Sequence, residues 1–426
     1  MSRPLRVNFV FNNVNDQYPL AKQLRRIGVD AHLYYEYPSD FHNLPESDEP
    51  TPWDKRPEWL HPYRPQRSKW QPSNRVDSNL LAEIGQADVI QAQHFCVDWA
   101  TRTGKPVVMY PYGGDLRTLS GWNGWLMSSL RSMHPALPAI RIPRIHDFLT
   151  PLAMRNALRK VSIFLLGNYY SDWISGYNLI DRFGLWDRVR RFPFFLDMDV
   201  FHPLPPHQRP VLRRQLLPNV DPGDLLIFHP TRQCLDPKNV SIAYKGNERL
   251  YHALARLDRK NVKFHLVVID KGWQSPEARQ LQKELGIDRY VTWLKPMPRH
   301  ELRRWYWISD LAVDQFGVGG ISLVGEEALA CGRPLLSYMQ LDSDGSRFYD
   351  DLHINHLYRE IPPLYNAKTV DQIEVALHRI ASNPAEREEV GAAAGQWALR
   401  NIDMRLAADR LMTIYDELLT RERRAA

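Results

Sequence analysis

Residues 311–339 decide the fold prediction and read LAVDQFGVGGISLVGEEALACGRPLLSYM. An apolar run that ends at Asp314 predicts a strand, and a glycine-rich turn that contains Gly317, Gly319 and Gly320 follows it. Glu326 to Cys331 predicts the start of a helix. Gly332 and Pro334 end that helix, because glycine suits a helix end and proline cannot continue it. The stretch therefore predicts a strand, turn and helix unit of a parallel α/β sheet.

The glycine-rich turn is a candidate phosphate site. Glycine lets the backbone approach a ligand closely, and the first amides of the following helix have no partner inside that helix. An anion placed there is stabilised by both effects. The alternative is a tight connection in a parallel sheet that binds nothing.

Composition indicates an ordinary globular protein of two or more domains. The chain has 426 residues, of which 44% are hydrophobic and 24% charged. Three widely spaced cysteines support neither a disulfide framework nor a cysteine-based zinc site, and no apolar run predicts a signal peptide or a membrane span. These features predict a cytoplasmic protein. The net charge of +6 is compatible with anionic substrates or a membrane surface, and no nucleic-acid-binding motif is visible.

Alternating strands and helices predict two doubly wound domains in tandem. The chain opens with a strand at Arg6–Phe11, a helix at Tyr18–Ile27 and a strand at Asp30–Tyr35, and the alternation starts again at Leu225–His229. A proline cluster at residues 203–206 marks the boundary, so the expected domains are 1–203 and 204–426. An alternative form of this prediction has the last helices of the chain packing back on the first domain. Two such domains are expected to face a central cleft.

Two other segments of the first half stand out. Residues 38–72 are rich in proline and tryptophan and predict a long irregular segment. Residues 118–160 are basic and aromatic, which fits either a peripheral membrane or acceptor patch or a pair of partly buried helices with solvated arginines.

Three charged residues of the second half follow predicted strands or precede helices. Arg232 follows the strand at Leu225–His229, Lys245 precedes a helix, and Glu327 lies near the start of the helix after the glycine-rich turn. Two cations and a helix N-terminus neutralise a diphosphate, and a carboxylate accepts hydrogen bonds from a ribose diol. The set suits a nucleotide sugar, although each residue also has an ordinary structural explanation.

These residues resemble the nucleotide-sugar half of glycosyltransferase family 4, retaining enzymes of the GT-B fold. The resemblance rests on Arg232, on YKG at 244–246 and on EALACGRP at 327–334. The linker LDMDVFHP at 196–203 and the turn PYGGDLR at 111–117 also resemble that family. It implies that Arg232 and Lys245 hold the donor diphosphate and that Glu327 holds the ribose. The turn residues implied to add donor contacts are Gly319, Gly320, Ser322 and Leu323.

The sequence departs from the family at two positions. The family carries a glutamate eight positions before the later one, and Gly319 occupies that place here, so Asp314 is a candidate substitute for the sugar contact. Tyr112 stands where the family carries a histidine. Tyr112 and Asp115 are the candidate catalytic residues, and Asp115 is the candidate that orients donor or acceptor. The family works without a metal ion, and no acidic or histidine cluster in the sequence predicts one. The scattered histidines, His229 among them, are expected to be structural.

The resemblance implies a glycosyltransferase that moves a hexose from a nucleotide diphosphate sugar, with retention, to a glycan, lipid-linked or small-molecule hydroxyl. Such an enzyme is expected to need no cofactor and no nucleic-acid partner. One alternative is a nucleotide-sugar epimerase or phosphorylase of the same fold. Another is a non-catalytic nucleotide-sugar-binding subunit. The expected location is cytoplasmic, with peripheral membrane contact as a variant.

Overall fold

The computed structural model describes residues 3–49, 53–64, 76–111, 116, 145–167, 177–236, 244–317, 319–341 and 358–425. The chain divides into two compact units. Unit 1 comprises Met1–Pro193 together with Met404–Ala426, and unit 2 comprises Phe194–Asp403. Each unit is built on one parallel sheet with helices, so the predicted tandem of two Rossmann-like domains is confirmed.

Unit 1 contains a seven-stranded parallel sheet in the order β3-β2-β1-β4-β5-β6-β7. Its apolar first strand lies between β2 and β4, which explains why four of its five residues are buried. The strands are β1 (Arg6–Val10), β2 (Asp30–Glu36), β3 (Leu60–Tyr63), β4 (Val89–Ala92), β5 (Val107–Met109), β6 (Ile163–Leu166) and β7 (Val189–Arg191).

The helices of unit 1 include the last helix of the chain. Tyr415 on that helix donates a hydrogen bond to Gln91 Oε1 at 2.8 Å, and Arg190 forms an ion pair of 2.6 Å with Glu417. No helix within the described ranges has the length and apolarity that crossing a membrane requires. The helices are α1 (Gln17–Arg26), α2 (Ser78–Ile84), α3 (Cys96–Arg102), α4 (Ile145–Lys160), α5 (Tyr177–Phe183) and, at the end of the chain, α13 (Met404–Ala425).

Strand β3 corrects the prediction that residues 38–72 are irregular throughout. Pro62 lies within β3, opposite Tyr35 of β2. Proline lacks a backbone N–H and is therefore tolerated on an edge strand, and β3 is the edge of this sheet. The proline-rich composition therefore did not indicate β3, a strand that pairs on one side only.

Unit 2 contains a six-stranded parallel sheet in the order β10-β9-β8-β11-β12-β13. Its strands are β8 (Leu225–His229), β9 (Phe264–Ile269), β10 (Val291–Leu294), β11 (Leu311–Val313), β12 (Leu335–Ser337) and β13 (Tyr365–Asn366). Its helices are α6 (Arg209–Leu216), α7 (Asn247–Arg259), α8 (Ser275–Glu284), α9 (Arg299–Ile308), α10 (Leu323–Ala330), α11 (Val370–Ser382) and α12 (Pro384–Asn401).

The core of unit 2 lies between this sheet and the helices α7 and α11. Leu250 and Leu254 of α7 and Leu377 of α11 are fully buried in one cluster with the side chains of β8, β9 and β11. The order of the strands reverses beside the first strand of each unit, between β1 and β4 and between β8 and β11. In open α/β sheets, ligands bind beyond the carboxyl ends of the strands at such a switch point.

Candidate functional site

The switch point of unit 2 brings together the segments that the sequence singled out. Strands β8 and β11 are neighbours, with Leu311 opposite Ile227. Arg232 lies in the segment after β8, and the glycine-rich turn follows β11. Both segments therefore leave the same edge of the sheet side by side.

Lys245 lies against the glycine-rich turn. Its side chain is buried, and Nζ donates a hydrogen bond to Gln315 Oε1 at 2.5 Å. Its carbonyl oxygen accepts from the amides of Phe316, at 2.7 Å, and Gly317, at 3.1 Å. Burial lowers the pKa of Lys245; the Asp314 carboxylate opposes this shift and the Arg232 guanidinium adds to it. Lys245 is thus a buried cation held at the turn from both its backbone and its side chain.

Arg232 is exposed beside this cluster. It makes no hydrogen bond or ion pair with any residue in the described ranges. Its side chain packs close to Gly272, where a Cβ atom would stand 2.8 Å from Arg232 Cγ. The guanidinium is therefore available to a ligand at the switch point, near enough to Lys245 to affect its pKa.

Asp314 anchors the turn from beneath. It is fully buried, Oδ2 accepts from the Ser322 amide at 2.6 Å, and Oδ1 accepts from Ser322 Oγ at 2.7 Å and from Thr231 Oγ1 at 3.4 Å. Ser322 in turn caps α10 by accepting from the Val324 amide. Because both oxygens of Asp314 face the protein, the structure gives it a positioning role in place of the sugar contact suggested from sequence.

Helix α10, which Ser322 caps, begins earlier in the sequence than predicted. The sequence predicted the helix from Glu326, whereas α10 begins at Leu323. Three of the predicted donor-binding positions, Gly320, Ser322 and Leu323, therefore lie at the N-terminal end of α10. Gln315 fixes this end further, since its Nε2 donates to the Gly320 carbonyl at 2.7 Å.

Gly319 explains one departure from the family pattern. A Cβ atom at this position would stand 2.8 Å from Gln340 Cβ and 3.1 Å from the Tyr338 ring. A glutamate side chain here would collide with Gln340 Cβ, which cannot move without its backbone. The turn is therefore packed for glycine at the place where the family carries its first glutamate.

Glu327 lies in a buried ion pair. Its Oε1 accepts from Arg299 Nε at 3.1 Å and its Oε2 accepts from the Tyr306 hydroxyl at 3.0 Å. Burial, followed by the charge of Glu327, raises the pKa of Tyr306 well above its ordinary value. Sequence reasoning missed both partners, although their spacing of seven residues on α9 places them on one helix face.

His229 is structural, as expected. Its ring nitrogens lie 3.0 Å from the Val313 carbonyl and 2.8 Å from Asn247 Nδ2, and burial lowers its pKa to about 4. The neutral ring joins β8, β11 and α7 behind the site. Within the described ranges, no group of three histidine, cysteine or acidic side chains is placed to hold a metal ion.

The switch point of unit 1 carries an unusual backbone. Phe11, Val14 and Asn15 after β1 and His94 after β4 all have positive φ, at 77°, 47°, 57° and 55°. The rings of Phe11 and His94 stack with centroids 5.1 Å apart. Buried amide atoms that lack a hydrogen-bond partner among the described residues occur here at Asn15 Nδ2, Gln17 Oε1 and Gln93 Nε2. Such strain is typical of ligand sites, and sequence reasoning missed it because the turn contains no glycine.

Tyr112 and Asp115, the predicted catalytic residues, lie outside the described residues, as do residues 118–144 of the basic and aromatic stretch at 118–160. Strand β5 of unit 1 ends at Met109, shortly before these residues in the sequence.

Two Rossmann-ordered sheets, with a cationic glycine-rich turn at the switch point of the second, define a two-domain α/β protein of the GT-B type. Residues 240–341 match the family model described as "Glycosyl transferases group 1". The match includes Lys245, the glycine-rich turn and Glu327. It confirms the family resemblance predicted from the sequence.

Two curated relatives of this chain are likewise named as glycosyltransferases. The D-inositol 3-phosphate glycosyltransferase of Frankia alni is 31% identical over 160 residues, which are 35% of this chain and 36% of that protein. The protein of the same name from Kribbella flavida is 29% identical over 208 residues, or 42% of this chain and 46% of that protein. The chain therefore matches less than half the length of either relative.

Solved structures share the fold across nearly the whole chain. A glycosyltransferase from Rickettsia africae has a TM-score of 0.62 at 13% identity and covers 98% of this chain and 99% of its own. The UDP-GlcNAc 2-epimerase of Neisseria meningitidis has a TM-score of 0.51 at 12% identity, with 96% and 100% covered. At these identities the likeness concerns the fold alone, and the fold is common to a transferase and an epimerase.

Proposed function

We propose that this protein is a glycosyltransferase that moves a hexose from a nucleotide diphosphate sugar to an acceptor hydroxyl, with retention at the anomeric carbon. The observation that carries the proposal is the switch point of unit 2. There Lys245 and the exposed Arg232 lie beside a glycine-rich turn that ends in the N-terminus of α10. Lys245 and the turn belong to the segment that matches the glycosyltransferase family.

The donor diphosphate would bind at this turn. Arg232 supplies a guanidinium that can form two parallel hydrogen bonds to a phosphate, and Lys245 supplies a buried ammonium. The Ser322 amide already donates to Asp314, so the amides of Gly319, Gly320 and Leu323, at the N-terminal end of α10, would add the donors that favour an anion. As the glycosidic bond breaks, these groups stabilise the charge that develops on the leaving diphosphate, and the proposal requires neither a metal ion nor another cofactor.

Glu327 would accept hydrogen bonds from the ribose hydroxyls. Among the described residues, Arg299 donates to Glu327 Oε1 and the Tyr306 hydroxyl donates to Oε2, so the carboxylate is fixed in place. A carboxylate oxygen accepts more than one hydrogen bond, which suits a ribose diol.

The acceptor would bind to unit 1. Four positive-φ residues and several unpartnered buried amide atoms at its switch point support a ligand there, and a saccharide, lipid-linked or small-molecule hydroxyl suits such polar groups. Tyr112 and Asp115, on the turn after β5, are proposed as the residues that orient the donor and acceptor.

A non-catalytic nucleotide-sugar-binding subunit is the second candidate, favoured by Gly319. Its packing against Gln340 and Tyr338 excludes the family's first glutamate, so a sugar contact is lost while the diphosphate site is kept.

A donor screen followed by a turnover assay separates these functions. Thermal-shift measurements with UDP-, GDP- and ADP-sugars identify the donor. The bound donor is then incubated with and without saccharide acceptors, and the products are analysed by mass spectrometry and NMR. Transfer with a retained anomeric configuration is the expected result. Epimerised sugar without an acceptor indicates an epimerase, phosphate-dependent cleavage indicates a phosphorylase, and tight binding without turnover indicates the subunit.

A further inference from the structure

Unit 2 contains a cavity of about 660 Å³, formed by α6, its flanking segments, the residue Arg333 after α10, and Glu388 of α12. Asp310, directly before β11, pairs with two of the cavity's arginines, Arg209 and Arg213, and Arg333 follows the C-terminal end of α10. The cavity therefore lies toward the amino-terminal edge of the sheet, whereas the glycine-rich turn leaves the carboxyl edge. No residue of the proposed donor site lines it.

Positive charge is in excess around this cavity. Four arginines line it, and the carboxylates beside them are Asp310 and Glu388. The four arginines are Arg209, Arg213, Arg214 and Arg333. The rest of the wall is apolar and is made of four prolines, two leucines and a valine.

Two of these arginines form ion pairs within the protein. Arg209 forms ion pairs of 2.6 Å with Asp310 and 2.7 Å with Glu388. Arg213 forms an ion pair of 2.8 Å with Asp310, and it also donates to the Asp224 carbonyl at 2.6 Å. Both acidic groups are therefore already neutralised.

The other two arginines have no such partner. Arg333 is only 9% exposed, its Nε is buried without a hydrogen-bond partner, and its guanidinium forms no ion pair with any residue of the described ranges. Burial chiefly, and then the charge of Arg209, lower the pKa of Arg333 to about 10. Arg214 is exposed at the cavity and likewise unpaired in the described part of the chain. A buried unpaired cation is unfavourable, and a bound anion removes that penalty.

We propose that this cavity binds a small organic phosphate, with the phosphate held by Arg333 and Arg214 and the organic body lying on the apolar wall. The guanidinium group matches phosphate geometry, and a phosphomonoester dianion balances the two uncompensated charges. The volume is that of a small-molecule site. The ligand is therefore distinct from the proposed donor and binds at a separate place on the same unit.

Titration calorimetry of the full chain with inorganic phosphate and with phenyl phosphate, at constant ionic strength, tests the proposal. We expect saturable binding of both, with phenyl phosphate tighter because of the apolar wall. Binding is expected to persist in Lys245→Met, which removes a phosphate ligand of the donor site. Arg333→Gln is expected to weaken binding at least tenfold and Arg214→Gln several-fold.

The matched control is Arg259→Gln, because Arg259 is an exposed arginine at the end of α7 that loses the same charge away from the cavity. It should bind as the wild type does. Absence of saturable binding, loss of binding in Lys245→Met, or wild-type affinity in Arg214→Gln and Arg333→Gln would each overturn the site. Equal affinities for the two probes would overturn the role of the apolar wall. Arg214→Gln keeps the test valid if Arg333→Gln fails to fold.

Discussion

Replacing Lys245 with methionine tests the proposed donor site most directly. The substitution keeps an unbranched stem and removes the buried ammonium that lies at the glycine-rich turn. A hydrogen bond to a charged group contributes about 1.5–3 kcal/mol, and a tenfold change in affinity corresponds to about 1.4 kcal/mol. Nucleotide-sugar binding should therefore weaken by roughly 10- to 150-fold.

The same substitution should change stability much less than it changes affinity. Methionine leaves Gln315 Oε1 without its donor, which costs on the order of 1 kcal/mol. It also removes a buried amine whose pKa is lowered chiefly by burial, and this second effect opposes the first. We therefore expect a folded variant with a defect confined to binding.

Calorimetric titration with the nucleotide sugar identified by the donor screen measures the effect. Lys283→Met is the control, since Lys283 is an exposed lysine in the last turn of α8 and loses the same charge. The reasoning is refuted if Lys245→Met is folded and binds the donor as tightly as the wild type, or if Lys283→Met loses affinity equally.

Three further outcomes follow from the same site. Burial lowers the pKa of Lys245 below 10.5, so between that lowered pKa and 10.5 the unfolded chain binds more protons than the folded chain. In this pH range the free energy of unfolding should rise with pH more steeply in the wild type than in Lys245→Met. Donor affinity should fall over the same range, because Lys245 loses its charge. Gly319→Glu should destabilise the protein by roughly 1–3 kcal/mol, measured by urea unfolding, because its side chain collides with Gln340. Unchanged stability would mean that the turn shifts to accommodate the side chain. Glu327→Ala should cost about 3–5 kcal/mol because it breaks the buried ion pair with Arg299, and a loss well under 1 kcal/mol would contradict the importance of that pair.

Much of the fold could be predicted because the hydrophobic pattern determines it. Strand β8 begins and ends at the residues predicted from the sequence, Leu225 and His229. All five of its residues are buried, so the apolar run alone locates it. Strand β3 was missed because Pro62 is compatible with pairing on only one side, and the sequence does not reveal which strands lie at an edge.

Candidate site residues could be chosen by type, whereas their contacts could not be predicted. The sequence indicated Glu327 as an acidic residue at a helix start, but its pairing with Arg299 depends on how α9 packs against α10. Asp314 illustrates the same limit, since its position after a strand suggested a ligand contact and its packing beneath Ser322 makes it an anchor. The positive φ of Val14 could not be predicted from the sequence, because a β-branched residue rarely adopts such a conformation.

The hydrogen bonds that hold the glycine-rich turn also bear on how tightly a ligand can bind. Asp314 and Gln315 fix Ser322 and Gly320 before any ligand arrives. Ordering one loop residue costs about 1–2 kcal/mol of conformational entropy. In this protein folding has already restricted the turn, so a diphosphate meets a preorganised set of amides and keeps more of its interaction energy as affinity.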